Sequence, residues 1–146
     1  GLHKINFESL DSIDQNNLNT NNDRVAYEGR LNHKRAVEVI TLANYMADKN
    51  IDHVDLMKID TQGYEPEVLE GMGNFLSKVD VIVAELMFFD FYERSVSFSD
   101  VEKFLLPAGF RLFDINHISK NPMNGRTDWV DVIYVNDRLK LNKHIS

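Results

Sequence analysis

The sequence lacks cysteine altogether among its 146 residues. That absence excludes a disulfide framework, a thiolate metal site and a cysteine nucleophile. No apolar run approaches the roughly 18 residues that a membrane-spanning helix needs, so we expect neither a membrane span nor a signal peptide. Basic residues are few, with 16 Lys and Arg against 23 Asp and Glu and a formal charge of −7. We therefore expect no nucleic-acid or membrane partner. The absence of cysteine is compatible with a reducing cytoplasm, and we expect a cytoplasmic location.

The residues that are present describe an ordinary globular protein, with 43% hydrophobic and 10% aromatic content. The length fits a single domain over residues 1–146. An asparagine-rich stretch at 16–23 favours turns, because its side chains compete for backbone hydrogen bonds. We expect an irregular, loop-rich segment at 1–35 and a folded core at 37–137.

The core alternates β-branched apolar runs with helical periodicity. The predicted strands are 37–40, 54–60, 81–86, 110–115 and 129–135, and the predicted helices are 41–49, 65–79 and 99–106. Thr41 is the predicted N-cap of the first helix, and Ser99-Asp100-Val101-Glu102 reads as a capping box for the third. Gly71 and Gly73 inside the second helix indicate close packing or a local irregularity, because glycine is costly in a helix interior.

The order of these elements predicts how the strands pair. A strand, a helix and a strand over residues 54–86 form a βαβ unit with parallel neighbouring strands. No helix fits between the last two strands, so we expect them to form an antiparallel pair at one side of the sheet. The polar loop that joins them contains His117.

One stretch organises the chain: residues 54–71, with the sequence VDLMKIDTQGYEPEVLEG. A short strand ends in Asp60, turns through Gly63 and enters a helix that has Pro66 in its first turn. Glu85 lies on the next parallel strand. Asp60 and Glu85 should therefore meet at the carboxyl end of the sheet, where ligands bind in open α/β folds.

This stretch resembles the signature of the FkbM methyltransferase family, which runs apolar-Asp-apolar-apolar-Lys-Ile-Asp-x-[Glu/Gln]-Gly-x-Glu-x-x-Val-Leu-x-Gly. Further counterparts lie at 39–42, 83–85, 106–110 and 131–136, so the resemblance covers about 37–137. It implies an α/β, Rossmann-like class I methyltransferase fold, present as its C-terminal portion, with a mixed sheet and an antiparallel last strand pair. It also implies S-adenosylmethionine as cofactor and methyl transfer to a hydroxyl of a sugar or small metabolite.

The chain departs from such folds in one important respect. No Gly-x-Gly loop follows a strand upstream of Val54, and the acid that would bind the cofactor's ribose is missing as well. We therefore expect a C-terminal piece of such an enzyme or a degenerate relative, which binds the cofactor weakly or not at all. The strand that ends at Asp60 would then have a bare edge. We expect homo-oligomers through that edge, or its coverage by residues 37–40 or the N-terminal segment.

The resemblance assigns roles to the acids at the sheet end. Asp60 and Glu85 are the candidate catalytic residues, to orient the acceptor hydroxyl and take its proton. Asp60 is also the candidate cofactor-binding residue. The simpler alternative is that Asp60 is a turn acid that caps the next helix. Glu85 needs a partner if it is buried, and Lys58 is one option.

Gln62, Glu65 and His117 are the candidate substrate-binding residues. Each has a simpler alternative: a turn-stabilising amide for Gln62, a helix-dipole acid for Glu65 and a solvated loop residue for His117. The histidines show no ligand spacing, so we expect no metal site. Two rival functions stay open: a non-catalytic module that self-associates, and a Mg²⁺-dependent phosphoryl-transfer or hydrolytic site built from Asp60, Glu85 and Asp114.

Overall fold

The computed structural model describes residues 37–89 and 94–140. In order along the chain they form α1 Leu42–Asp48, β1 Val54–Ile59, α2 Glu65–Met72, a 3₁₀ segment Gly73–Lys78, β2 Val79–Met87, α3 Phe98–Leu105, β3 Phe110–Lys120, β4 Thr127–Asn136 and a 3₁₀ turn Asp137–Leu139. The loop-rich segment predicted at 1–35 lies outside the described residues. No helix in the described ranges is long and apolar enough to cross a membrane.

The strands form one mixed sheet of four strands in the order β1-β2-β4-β3. β1 and β2 are parallel, which confirms the predicted βαβ pairing. β4 is antiparallel to both β2 and β3, which confirms the predicted antiparallel last pair. The ends of β1 and β2, the start of β4 and the end of β3 therefore lie along one edge, here called the carboxyl edge.

Alternation along the strands gives the sheet two different faces. On β2 and β4 every second residue is buried, namely Ile82, Ala84, Leu86, Val130, Val132 and Tyr134. Apolar residues from all three described α-helices join the same cluster, so the helices pack on this face. The residues between them, such as Val83 and Glu85, point to the opposite face, here called the second face.

The glycines of the second helix were predicted to mark close packing or a local irregularity, and the irregularity is found at Gly73. α2 ends at Met72, because Gly73 adopts a φ of +50° and the chain continues as a 3₁₀ segment. The helix predicted over 65–79 is therefore shorter than expected. A Cβ built on Gly71 would lie 3.6 Å from the side chain of Thr41, which is an ordinary van der Waals contact. Thr41 also caps α1 as predicted, because its side chain accepts a hydrogen bond of 3.2 Å from the Asn44 N–H.

Three sequence predictions are wrong. Residues 37–40 form no strand, and Val39 is 79% exposed. Among the described residues no strand pairs with them, and an isolated strand has no partner for its backbone groups. The capping box of the third helix was predicted to begin at Ser99, but it begins two residues earlier, where Ser97 and Asp100 form it. The earlier start lets Phe98 pack against the core.

The third error concerns the last hairpin. His117 was expected on a loop, but β3 continues through Lys120 and only residues 121–126 connect it to β4. The strand holds this length through bulges, where its register against β4 shifts. The pairing with β4 resumes after each bulge, so the polar segment forms a strand because β4 extends alongside it.

Candidate active site at the carboxyl edge

The structure brings Asp60 and Glu85 together. The β1–β2 register ends with Ile59 opposite Ala84, so Asp60 lies at the level of Glu85 on the neighbouring strand. Ile59 and Ala84 point into the core, and the next residue on each strand therefore points to the second face. The two carboxylates are close enough for each to influence the other's proton affinity.

Asp60 is held by its own neighbours in sequence. Lys58 Nζ donates to Oδ2 at 3.0 Å, and Gln62 Nε2 donates to Oδ1 at 2.7 Å. The bond from Lys58, followed by that from Gln62, lowers the pKa of Asp60 below its usual range. Lys58, considered from the sequence as a partner for Glu85, thus bonds to Asp60. An acid with a depressed pKa is a good orienting group and a weak proton acceptor.

Glu85 has the opposite character. It lies half-buried on β2, and burial raises its pKa to about 7, with further contributions from Asp60, Asp131 and Glu65. Lys58 opposes that rise and is the weakest of these influences. A carboxyl group that titrates near neutrality is suited to general acid–base chemistry.

Asp131 completes a row of acids across three strands and is not among the candidate residues predicted from the sequence. It is the direct partner of Glu85 in the β2–β4 register. Val130 and Val132 on either side are buried in the core, so Asp131 points to the second face. Strand alternation could have indicated its face. Its position opposite Glu85 depends on the strand register, which the sequence does not specify.

Glu65 lies inside the turn that follows Asp60. It is 1% exposed, and Oε1 accepts bonds from the Thr61 backbone N–H at 2.9 Å and the Thr61 hydroxyl at 3.0 Å. The Gly63 N–H donates to Oε2 at 3.0 Å. The turn needs this clamp because Gln62 and Gly63 both adopt positive φ, at 57° and 102°. Substrate contacts of Glu65 and Gln62 stay predictions.

His117 lies at the same edge but on the far side of the sheet from Asp60. Its ring stacks on Trp129 with centroids 4.7 Å apart and an interplanar angle of 23°. β3 and β2 are two strand spacings apart, which is about 10 Å. Nearby, the Arg126 guanidinium lies 4.0 Å from the Phe89 ring centroid and bonds to Asp128 at 2.8 Å. A role of His117 in substrate binding stays a prediction.

Four aromatic residues follow Glu85 closely in the sequence, namely Phe88, Phe89, Phe91 and Tyr92. Phe88 stacks on Phe98 at 5.7 Å and packs against the core. Phe89 is 40% exposed near the carboxyl edge. Phe91 and Tyr92 lie outside the described residues.

A cleft of about 910 Å³ opens beside β1, with Asp60 on its lining. Its other walls come from β1, from the first turns of α2 and from residues 39–42. This volume is within the range of small-molecule sites. Met57, Ile59, Tyr64 and Val68 are among the residues that line the cleft, so its walls are mostly apolar, and Asp60 adds an acid to the lining.

The carboxylate set proposed for Mg²⁺ does not assemble. Asp114 lies on β3, three strand spacings or about 14 Å from β1, and its carboxylate accepts the N–H of Ile115. Among the described residues, ligand atoms of His53, Asp55 and Asp80 lie within 4.8 Å of one another at the opposite end of the sheet. Asp80 there is also bonded by Arg138. These residues form an ion-pair network remote from Asp60.

The fit to S-adenosylmethionine, the cofactor that the sequence resemblance implies, is partial. The acid row suits its sulfonium cation, because carboxylates stabilise a positive charge. A cofactor is commonly bound by backbone N–H groups in the turn that follows a parallel strand. Gly63 lies in such a turn, but its N–H donates to Glu65 instead of facing a ligand. The Gly63 N–H is therefore not free to bind the nucleoside in the described turn.

Comparison with known proteins gives one match. Residues 3–112 match the family described as Methyltransferase FkbM domain, which is more than half of the chain. The matched range includes Asp60, Glu65 and Glu85 and ends within β3. No curated protein and no solved structure matches the chain.

Proposed function

The chain belongs to the FkbM methyltransferase family, and from this premise we propose that it transfers a methyl group to the hydroxyl of a sugar or small metabolite. S-Adenosylmethionine supplies the methyl group. One observation carries the proposal: Glu85, with a pKa of about 7, lies beside the anionic Asp60 at the carboxyl edge.

In the proposed reaction the acceptor oxygen forms a bond to the methyl carbon and loses its proton, while the bond from that carbon to the sulfonium sulfur breaks and S-adenosylhomocysteine leaves. Glu85 takes that proton, because its pKa lies near neutrality and its deprotonated form is populated there. Asp60 accepts a hydrogen bond from the acceptor and fixes its orientation, while Lys58 and Gln62 hold the Asp60 carboxylate in place. The acid row also disfavours phosphorylated acceptors, because their negative charge would be repelled.

We further propose that the mixed sheet and its helices are the C-terminal portion of a Rossmann-like class I fold. The core at 37–137 then belongs to a single domain over residues 1–146. A cytoplasmic location stays a prediction. The observed order of two parallel strands followed by an antiparallel pair supports the fold proposal.

A radiolabelled methyl-transfer assay tests the function. The protein is incubated with methyl-labelled S-adenosylmethionine and a panel of neutral sugars and small alcohols, with and without the substitution Glu85→Gln. We expect a loss of about 100-fold or more in kcat for Glu85→Gln, because the proton acceptor is gone. The matched control is Glu70→Gln, an exposed carboxylate on α2, and should retain the activity. Equal rates for the two variants would refute the role of Glu85.

A second function is supported by the edge of the sheet. Within the described residues β1 pairs only with β2, and Leu56 on β1 is 61% exposed. An open strand edge recruits another strand, so the rival is a non-catalytic module that self-associates through β1. Calorimetric titration with S-adenosylmethionine and sedimentation velocity distinguish the two. No cofactor binding, together with a dimer that Leu56→Lys disrupts and Leu106→Lys does not, would favour the module. Micromolar binding by a monomer would exclude it.

A further inference from the structure

Asp131 lies directly opposite Glu85 on the neighbouring antiparallel strand. The two residues are register partners on the antiparallel strands β2 and β4. Directly opposite residues in such a pair have Cβ atoms about 5 Å apart. Both side chains point to the second face, because their neighbours on each strand are buried in the core. Their carboxyl groups therefore share the same strip of surface.

The other charges around Glu85 come from three further places. Asp60 follows β1, Lys58 lies on β1, and Glu65 lies at the start of α2. Lys58 is bonded to Asp60 at 3.0 Å and thus offsets part of the Asp60 charge. Within the part of the chain that the structure describes, the Asp131 side chain has no hydrogen bond or salt bridge. Its charge therefore acts on Glu85 without a bonded counter-ion.

We propose that Asp131 is a positioning residue for the proposed methyl transfer, whose carboxylate faces Glu85 across β2 and β4 and tunes Glu85 as the proton acceptor. The inference rests on the proposed function of this site. Asp131 acts through Glu85: it repels negative charge there, so Glu85 keeps a high proton affinity. Burial and Asp60 contribute more to that affinity than Asp131 does.

The consequence for the reaction is specific. Removal of the Asp131 charge should lower the pKa of Glu85 by about 0.5 to 1, because the repulsion between two carboxylates about 5 Å apart is of that size when water screens it. In a plot of kcat against pH, the rise on the acidic side should move to lower pH by the same amount. KM should change little, since Asp131 acts on Glu85 and not on the acceptor.

Carbon-13 NMR of the full chain tests the inference without an activity measurement. Glutamate labelled at the side-chain carboxyl carbon is incorporated, and the signal of Glu85 is the one that Glu85→Gln removes. Its pKa is then measured in the unmodified protein, in Asp131→Asn and in Asp131→Glu, which keeps the charge. The matched control is Asp55→Asn, at the other end of β1, where the side chain is 95% exposed and about 16 Å from Asp60. Circular dichroism confirms that each variant is folded.

The expected result is a lower Glu85 pKa in Asp131→Asn, a value restored toward that of the unmodified protein in Asp131→Glu, and no change in Asp55→Asn. An unchanged pKa in a folded Asp131→Asn variant would overturn the inference. If Asp131→Asn does not fold, Asp131→Glu still tests the inference. A Glu85 pKa about 0.5 to 1 lower in Asp131→Glu than in the unmodified protein would overturn it, because this variant keeps the negative charge. A lowered pKa in a protein that transfers no methyl group would refute the proposed function and leave the electrostatic role of Asp131 standing.

Discussion

The turn between β1 and α2 depends on one buried carboxylate, and its removal gives the sharpest stability prediction. Glu65 is 1% exposed and accepts bonds from the Thr61 N–H, the Thr61 hydroxyl and the Gly63 N–H. Glu65→Ala would leave the buried Gly63 amide without its acceptor, and the half-buried Thr61 groups would lose theirs. The turn would keep its two positive φ angles without the bonds that hold them.

The size of the effect follows from those three bonds. A hydrogen bond to a charged acceptor contributes about 1.5–3 kcal/mol, and an unsatisfied buried amide costs about 1–3 kcal/mol. Water entering the space left by the side chain will recover part of this loss. We therefore expect Glu65→Ala to lower the free energy of unfolding by about 3 kcal/mol, a large fraction of the about 5–15 kcal/mol of a typical domain. Glu65→Gln keeps one accepting oxygen and should lose about half as much.

Urea unfolding followed by far-ultraviolet circular dichroism measures these differences. The control is Glu70→Ala on the same helix, where the side chain is exposed and the expected change is within about 0.5 kcal/mol. Hydrogen exchange at the Gly63 amide should accelerate in Glu65→Ala and stay unchanged in the control. A loss in Glu65→Ala that is no larger than in Glu70→Ala would show that the clamp does not stabilise the fold.

Two further predictions concern pH and glycine. The folded state raises the pKa of Glu85 from 4.5 to about 7, so its contribution to stability is present below pH 4.5 and is lost as the pH rises through 7. At 1.36 kcal/mol per pKa unit, and halved because Glu85 is partly exposed, the free energy of unfolding should fall by about 1–2 kcal/mol between pH 4.5 and 8. Urea unfolding at a series of pH values should show this loss in the unmodified protein and not in Glu85→Gln. Gly73→Ala should cost about 1–2 kcal/mol because its φ is +50°, whereas Gly71→Ala makes only an ordinary 3.6 Å contact and should be nearly neutral in a thermal melt. Equal losses for the two alanines would contradict this reasoning.

Local patterns predicted most of the described elements correctly. The β-branched runs around 54–60 and 81–86 form strands, because β-branched side chains pack well on a pleated sheet. The meeting of Asp60 and Glu85 also followed from the sequence, since neighbouring parallel strands end at the same edge. Thr41 caps its helix as expected, because capping depends on residues only three positions apart.

The features that escaped prediction depend on contacts distant in sequence. Asp131 lies opposite Glu85 only because β4 pairs with β2 in one particular register. His117 is part of a strand because β4 extends alongside it, although its own segment is polar. Residues 37–40 have strand-like side chains and form no strand among the described residues, because β-propensity is expressed only where a neighbouring strand is present.

The stack of His117 on Trp129 has a practical consequence, since the chain contains one tryptophan. Indole fluorescence from this protein therefore originates at a single known place, two residues along β4 from Asp131. Emission and quenching then report on the carboxyl edge alone, without any dye or labelled amino acid. Even weak ligands can be titrated optically, and the location of the response is known before the experiment begins.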